Sequence, residues 1–406
     1  MRFSRRIARI KVSPSNRAAQ RARDLNAAGR DIINLGQGEP DFPTPGHVIE
    51  AAHQAARAGQ TRYTSVDGTP ELKDAILEKF QRDNQLTFTA ENITVGAGGK
   101  QVLFNAFMAT LDAGDEVILP APYWVSYPDM VLLAEGTPVG VQTRVEDGLK
   151  LKPQQLEAAI TSRTRWLVLN SPCNPSGAVY SGDELRALAR VLEHHPQIWV
   201  LSDDMYEHIL FDGRRFATFA QVAPQLADRT LTVNGVSKAY AMTGWRIGYA
   251  GGPAPLIRNM AKIQSQSTSN PSSVSQAAAV AALRGPQDIV VSRCAEFQAR
   301  RDAIAPKLAA IPGLACERPP GAFYFYVSCA GLIGRSAPDG RVLPDDEAVV
   351  LYLLDSAGVS LVHGAAYGSS PWFRATFATS MENLSQACQR IAAAVDRLLP
   401  ARERKA

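Results

Sequence analysis

Between residues 93 and 250, short runs of apolar and β-branched residues alternate with longer amphipathic stretches, and this alternation constrains the fold more than any other feature. A strand, a crossover helix and a second strand return the chain in one direction, so repetition of the unit builds a mostly parallel sheet covered by helices. The strand candidates are residues 93–95, 116–119, 166–169, 198–201, 230–233 and 247–250. Helix starts are marked as well. Ser181 and Glu184 have capping-box spacing, and Thr69 before Pro70 reads as a cap with proline in the first turn.

Beyond residue 285 the character changes. A long charged helix is expected around 291–308 and a strand at 322–327, followed by a Gly-, Pro- and Asp-containing connection through 334–344. This reads as a second, α+β domain, and 406 residues is more than one hydrophobic core usually serves. The stretch up to residue 48 contains Gly36-Gln37-Gly38-Glu39-Pro40-Asp41, a loop that pattern alone gives to neither domain.

Hydrophobic residues at 46% and charged residues at 20% exclude a disordered chain. No uninterrupted apolar run reaches the ~18 residues a spanning helix needs, so no membrane partner is expected. Much of the +4 net charge lies at the start, where Arg2, Arg5, Arg6, Arg9, Lys11, Arg17, Arg21 and Arg23 precede the first acid, Asp24. Without interleaved aromatics this arm reads as a solvated terminus rather than a nucleic-acid patch or a transit peptide. The five cysteines are scattered and lack C-x-x-C spacing, which points to neither disulfides nor zinc and fits a reducing cytoplasm.

Open parallel sheets bind ligands at the carboxyl ends of their strands, so the residues just after each strand carry the chemistry. After 93–95 comes Gly96-Ala97-Gly98-Gly99-Lys100, where glycines opening a helix let backbone N–H groups approach a phosphate. After 166–169 comes Asn170-Ser171-Pro172-Cys173-Asn174-Pro175-Ser176-Gly177, a sharp loop that exposes Asn174. Asp203 follows 198–201 and reads either as a site carboxylate or as the cap of a next helix. After 230–233 come Ser237-Lys238 and then Gly244-Trp245-Arg246. A lysine and an arginine among apolar and glycine residues are costly to bury without a bound anion or carbonyl. A desolvated lysine has a lowered pKa and forms imines, while a guanidinium fork suits a phosphate.

These blocks, with Arg62-Tyr63-Thr64, Tyr123-Trp124-Val125-Ser126-Tyr127-Pro128, Asn174-Pro175-Ser176-Gly177 and Asp203-Asp204-Met205-Tyr206-Glu207-His208, resemble the class I aminotransferases over essentially the whole chain. Those are pyridoxal-phosphate enzymes of fold type I, and the bacterial aspartate (aspartate/prephenate) subgroup is the nearest in pattern. The resemblance implies an α/β large domain over 49–285, its mostly parallel seven-stranded sheet sandwiched by helices. It also implies a smaller α+β domain over 286–406, with residues 1–48 packed on the small domain.

The resemblance also implies roles. Lys238 holds pyridoxal 5'-phosphate as a Schiff base and then serves as the base that moves the substrate α-proton. Asp203 pairs with the pyridine nitrogen, Tyr206 and Asn174 bind the phenolic oxygen, and Trp124 stacks on the ring. Gly98, Gly99, Ser237 and Arg246 hold the phosphate, and Tyr63 reaches the phosphate of a neighbouring subunit, which implies a homodimer. Arg374 clamps the substrate α-carboxylate, with a backbone contact from Gly38. Lys100, Ser13 and Ser15 match the subgroup's distal-carboxylate site, and Lys11 favours prephenate.

Three residues depart from the subgroup's pattern. Arg17 stands where a small aliphatic residue is usual, His363 where a proline is, and Cys173 where a serine or asparagine is; His363 is expected in a loop. The leading expectation is transamination between L-aspartate or L-glutamate and 2-oxoglutarate or oxaloacetate, with prephenate as a further acceptor. Transamination of aromatic or other neutral amino acids, a carbon–sulfur lyase of the same fold and a non-catalytic binding module remain as alternatives.

Overall fold

The computed structural model describes residues 3–12 and 14–400, apart from the side chains of Ser15 and Asn16. Twelve strands lie among the described residues: β1 Ile33–Asn34, β2 Ile93–Gly96, β3 Glu116–Ala121, β4 Thr137–Gln142, β5 Thr164–Asn170, β6 Trp199–Asp203, β7 Thr230–Gly235, β8 Gly248–Gly251, β9 Tyr324–Ser328, β10 Val359–Ser360, β11 Val362–His363 and β12 Trp372–Thr376. Seven of them form one sheet in the order β2-β8-β7-β6-β5-β3-β4, parallel except for β8, which runs against both of its neighbours.

All six strands expected in this sheet are present, with ends shifted by one or two residues. Strands β2 and β7 are buried at every position, as expected of strands covered on both faces by helices. The seventh strand that the resemblance implies is β4, whose position the pattern does not mark because Pro138 and Gly140 break its alternation. It lies at the sheet edge, where proline removes no ladder bond that a neighbour needs. Strand β8 is reversed because the chain between β7 and β8 holds a single 3-10 turn, Thr243–Trp245, and no crossover helix.

A second sheet of order β11-β12-β9 is antiparallel, and its register sets Arg374 opposite both Val362 and Tyr326. Strand β1 pairs in parallel with β10, so the N-terminal segment lies beside this second sheet. The apolar cluster beneath it joins Ile33 and Leu35 to Phe297, Phe323, Phe325, Leu353 and Phe377. The helix Asp288–Ala309 covers the expected charged helix.

The helix Pro70–Lys79 is capped by Thr69, whose side chain accepts from the Leu72 amide, and it runs into a π-helical turn, Phe80–Asn84. Lys79 is buried there. Its ammonium donates to Asn84 Oδ1 at 2.6 Å and pairs with Glu207, while Asn84 Nδ2 donates to Glu207 Oε2 at 2.7 Å. Burial alone would raise the Glu207 carboxyl, but the charge of Lys79 and the contact with His208 outweigh it and hold the group well below the carboxylate range. Asp83, Glu207 and His208 draw close together, and Lys79 supplies the positive charge among them.

This pair ties the turn after β6 to a helix more than 100 residues away in sequence. Lys79→Met leaves a buried carboxylate unpaired and should lower unfolding stability by about 3–5 kcal/mol in a urea titration. The double change Lys79→Met/Glu207→Leu should recover most of that loss. An equal loss in both variants would mean that packing, not charge, is what Lys79 contributes.

Candidate active site

The segments that follow the parallel strands converge on a cavity of about 390 Å³, lined also by the Gly36–Glu39 loop and by Arg374 from the second sheet. Strand β6 ends in Asp203, a buried carboxylate whose Oδ2 accepts from the Tyr127 hydroxyl at 2.5 Å and whose Oδ1 accepts from the Met205 amide at 3.3 Å. Burial raises its pKa, opposed by the Tyr127 hydrogen bond and the charge of Lys238. No helix begins at Asp204, so the alternative reading of Asp203 as a helix cap does not hold.

Lys238 sits three residues past the end of β7. Its ammonium donates to the Gly38 carbonyl at 2.5 Å and lies 5.7 Å from the centre of the Tyr206 ring. Burial, reinforced by the positive charge of Arg374, brings its pKa down to about 8. That is the setting in which an amine is a usable nucleophile and base near neutral pH.

At one end of the cavity Gly98 opens the helix Gly99–Thr110 with φ +89°, and a Cβ there would stand 2.3 Å from Arg246 Nη2. Glycine is therefore required twice over, by conformation and by the approach of the guanidinium. Arg246 itself adopts φ +57° and donates to the carbonyls of Thr243 at 2.9 Å and Ala97 at 3.2 Å. The expectation that Arg246 is desolvated along with Lys238 is corrected: Arg246 is exposed, because it reaches over Gly98 at the open side of the cavity.

At the other end Arg374 is only 2% exposed. It donates to the Gly36 carbonyl at 2.7 Å and to Asn174 Oδ1 at 3.0 Å, and its Nε has no hydrogen-bond partner among the described residues. A buried guanidinium that lines a cavity and keeps an unused donor suits a carboxylate.

The structure brings together Gly38, Gly99, Lys100, Trp124, Asn174, Asp203, Tyr206, Ser237, Lys238, Arg246 and Arg374 around this one cavity, with Gly98 directly beside it. Lys100 holds its ammonium 4.9 Å from the Trp124 ring centre, and burial followed by the Arg246 charge lowers its pKa. Four of the expected residues lie elsewhere or cannot be placed. Tyr63 is 91% exposed and lies on a separate depression with Arg62 and Asn270. Lys11 is exposed and does not line the cavity; its backbone amide and its charge act on Asp129. Ser13, and the side chain of Ser15, lie outside the described residues.

The three unusual residues also fall outside the cavity lining. Arg17 is an exposed residue of the helix Pro14–Ala27, and Arg23 of the same helix lines the cavity instead. His363 ends β11 opposite Phe373 rather than lying in a loop. Cys173 is buried with its Sγ 3.5 Å from the Pro122 carbonyl. The sequence reading gave no role to Tyr127, Tyr324 or Arg23. Tyr127 lies inside a motif that was singled out, but its bond to Asp203 spans 76 residues.

Comparison with known proteins agrees with this geometry. The family model for aminotransferase class I and II matches residues 30–391. The chain is 57% identical to the aspartate/prephenate aminotransferase of Cereibacter sphaeroides over 387 residues, covering 95% of this chain and 97% of that one. It is 56% identical to an aspartate aminotransferase of Rhizobium meliloti over 393 residues, 97% of this chain and 96% of the other. Among solved structures, the aspartate aminotransferase of Rhizobium meliloti superposes with a TM-score of 0.95 at 55% identity, covering 98% and 100% of the two chains. The Thermus thermophilus enzyme with maleate gives 0.90 at 43% identity, covering 97% and 100%. The chain therefore belongs to the class I and II aminotransferases, and it transfers an amino group between an amino acid and a 2-oxo acid.

Proposed function

We propose that the chain exchanges the amino group of L-aspartate or L-glutamate with 2-oxoglutarate or oxaloacetate, and accepts prephenate as well, using pyridoxal 5'-phosphate held in this cavity. The observation that carries the reading is the half-buried amine of Lys238, with a buried carboxylate and a buried guanidinium lining the same cavity.

The residues present fit the cofactor. The Gly98 cradle beneath Arg246 leaves no room for a side chain but suits a phosphate, and Asp203 is a buried carboxylate whose raised pKa a cationic ring nitrogen would reverse. When bound, the cofactor supplies an aldehyde carbon for amine exchange and a ring that takes up electrons from the substrate α-carbon. Arg246, Ser237 and the amides of Gly98 and Gly99 would bind the phosphate, while Asn174 and Tyr206 would bind the phenolic oxygen and Trp124 would cover the ring face. Lys238 Nζ would hold the cofactor and, once displaced by the substrate amine, take and return the α-proton in two successive half-reactions. Arg374 would orient the α-carboxylate.

The distal carboxylate is assigned to Lys100, with the hydroxyls of Ser13 and Ser15, and Lys11 is read as favouring prephenate. The maleate in the Thermus thermophilus structure, a dicarboxylate, supports an acidic substrate. A homodimer with shared sites is part of the proposal, supported by the exposure of Tyr63. So is a division into residues 1–48 packed on the small domain, a large domain over 49–285 and a small one over 286–406. The sheet boundaries and the cluster joining Ile33 to Phe377 support that division. Five free cysteines fit a cytoplasmic enzyme, and no helix among the described residues is long and apolar enough to cross a membrane.

Lys238→Ala should retain the cofactor through its phosphate contacts while transamination falls by several orders of magnitude, measured as single-turnover amine transfer. In the cofactor-free protein, acylation of Lys238 followed by mass spectrometry should rise with pH through a midpoint near 8, because only the unprotonated amine reacts. A midpoint near that of a free lysine would remove the argument from burial.

Lys100→Ala should reduce kcat/KM for aspartate and glutamate relative to neutral amino acids by roughly 10- to 150-fold, the value of a hydrogen bond to a charged group. If all substrates lost rate together and cofactor affinity dropped, Lys100 would be a phosphate ligand instead. Arg17→Ala combined with Lys100→Ala should give additive losses, since Arg17 lies outside the cavity lining.

A further inference from the structure

The second sheet contributes a residue that the functional reading does not use. Tyr324, the first residue of β9, is fully buried and does not line the cavity, yet it contacts two residues that do, Tyr206 and Arg374. Its hydroxyl lies 2.7 Å from the Tyr206 hydroxyl, and no other hydrogen bond from it is present among the described residues. Its ring face carries the Arg374 guanidinium at 4.4 Å. Its hydroxyl also closes against Gly38, where a Cβ would stand 3.0 Å away.

A phenol has one hydrogen to donate and can accept others. Tyr206 can therefore give its hydrogen to a ligand oxygen in the cavity only if Tyr324 turns its own hydrogen toward the Tyr206 oxygen. Donation in that direction polarises Tyr206 and strengthens what it gives onward. On the other side, the ring of Tyr324 lies under Arg374 in a dry setting, where a cation over an aromatic face is well held.

We propose that Tyr324 is a positioning residue that serves both halves of the site, orienting and strengthening the Tyr206 hydroxyl as a donor to the cofactor's phenolic oxygen and supporting Arg374 beneath the substrate carboxylate. The inference rests on the functional reading above. It separates into two parts, because Tyr324→Phe deletes the hydroxyl and keeps the ring, whereas Tyr324→Leu deletes both.

The readout is the absorbance titration of the Lys238–pyridoxal chromophore in the purified holoenzyme, alongside KM and kcat for an amino-acid substrate. A hydrogen bond to the phenolic oxygen favours its anionic form and lowers the pH at which the chromophore loses its proton. Tyr324→Phe weakens that bond, so the midpoint should rise by about 0.5–1 pH unit, with KM unchanged. Tyr324→Leu should show the same rise and, in addition, an increase in KM of about tenfold from the loss of the face beneath Arg374. A purely structural role would lower the melting temperature and leave the titration where it was. That result in Tyr324→Phe overturns the proposal, even if Tyr324→Leu fails to fold. If the wild-type protein forms no chromophore with pyridoxal phosphate, the functional reading fails first and this inference falls with it.

Discussion

The amine of Lys238 stands half-buried among two carboxylates and two guanidinium groups, and much of the surrounding architecture serves that placement. Adjacent parallel strands deliver the two opposite charges: Asp203 closes β6 in register with Val233 of β7, and Lys238 follows five residues beyond Val233. The guanidinium of Arg374 arrives from a different sheet. Burial and that neighbouring charge make the protonated amine costly, and the Asp203 and Glu39 carboxylates keep the cost from becoming prohibitive.

The loop after β1 holds these parts in register. Gly38 accepts from Lys238 and Gly36 accepts from Arg374. Further along, Asp41 takes Arg300 at 2.7 Å, and the Phe42 ring lies 5.2 Å from the Arg293 guanidinium and 5.1 Å from that of Arg300. Thr44 then joins the loop to the large sheet side by donating to the Ala241 carbonyl and accepting from Trp245. One short segment thus touches the amine, the Arg374 guanidinium and both bodies of packed structure. Its backbone carbonyls act on the site while its side chains anchor it, a division that leaves the site-facing positions free to be glycine.

The two ends of the substrate region differ in rigidity. Arg374 is buried, hydrogen-bonded at two nitrogens and stacked on Tyr324, so little entropy remains to be lost when it binds a carboxylate. Lys100 is an exposed residue whose ammonium makes no hydrogen bond among the described residues and lies over the face of Trp124. A long side chain over a single aromatic face can shift at modest energetic cost. Under the proposed function, the carboxylate common to all amino acids would meet a fixed partner, whereas the variable end would meet a yielding one. The buried Lys79–Glu207 pair belongs with the first kind: it fixes Glu207 in the turn that follows Asp203 and contains Tyr206.

Local pattern alone determined six of the sheet's seven strands and the positions of their reactive ends. Strands such as β2 and β7 are apolar on both faces and are bounded by turn residues, so they are legible without knowing what covers them. Asp203, Lys238 and the Gly98–Gly99 turn were legible because chemistry in such sheets collects where strands stop. The roles given to Arg374 and Asn174 came from resemblance rather than from any local signal. Only the tertiary structure decided that Arg246 is open to solvent, that Lys11 and Arg17 stand away from the cavity, and that β4 completes the edge. It also decided the partners. Tyr127 meets Asp203 across 76 residues and Tyr206 meets Tyr324 across 118, and no periodicity records such pairs. The first joins the helix Tyr127–Leu133 to the end of β6, the second joins the turn after β6 to β9, and side chains that are ordinary in their own segments become partners once burial removes water as the alternative.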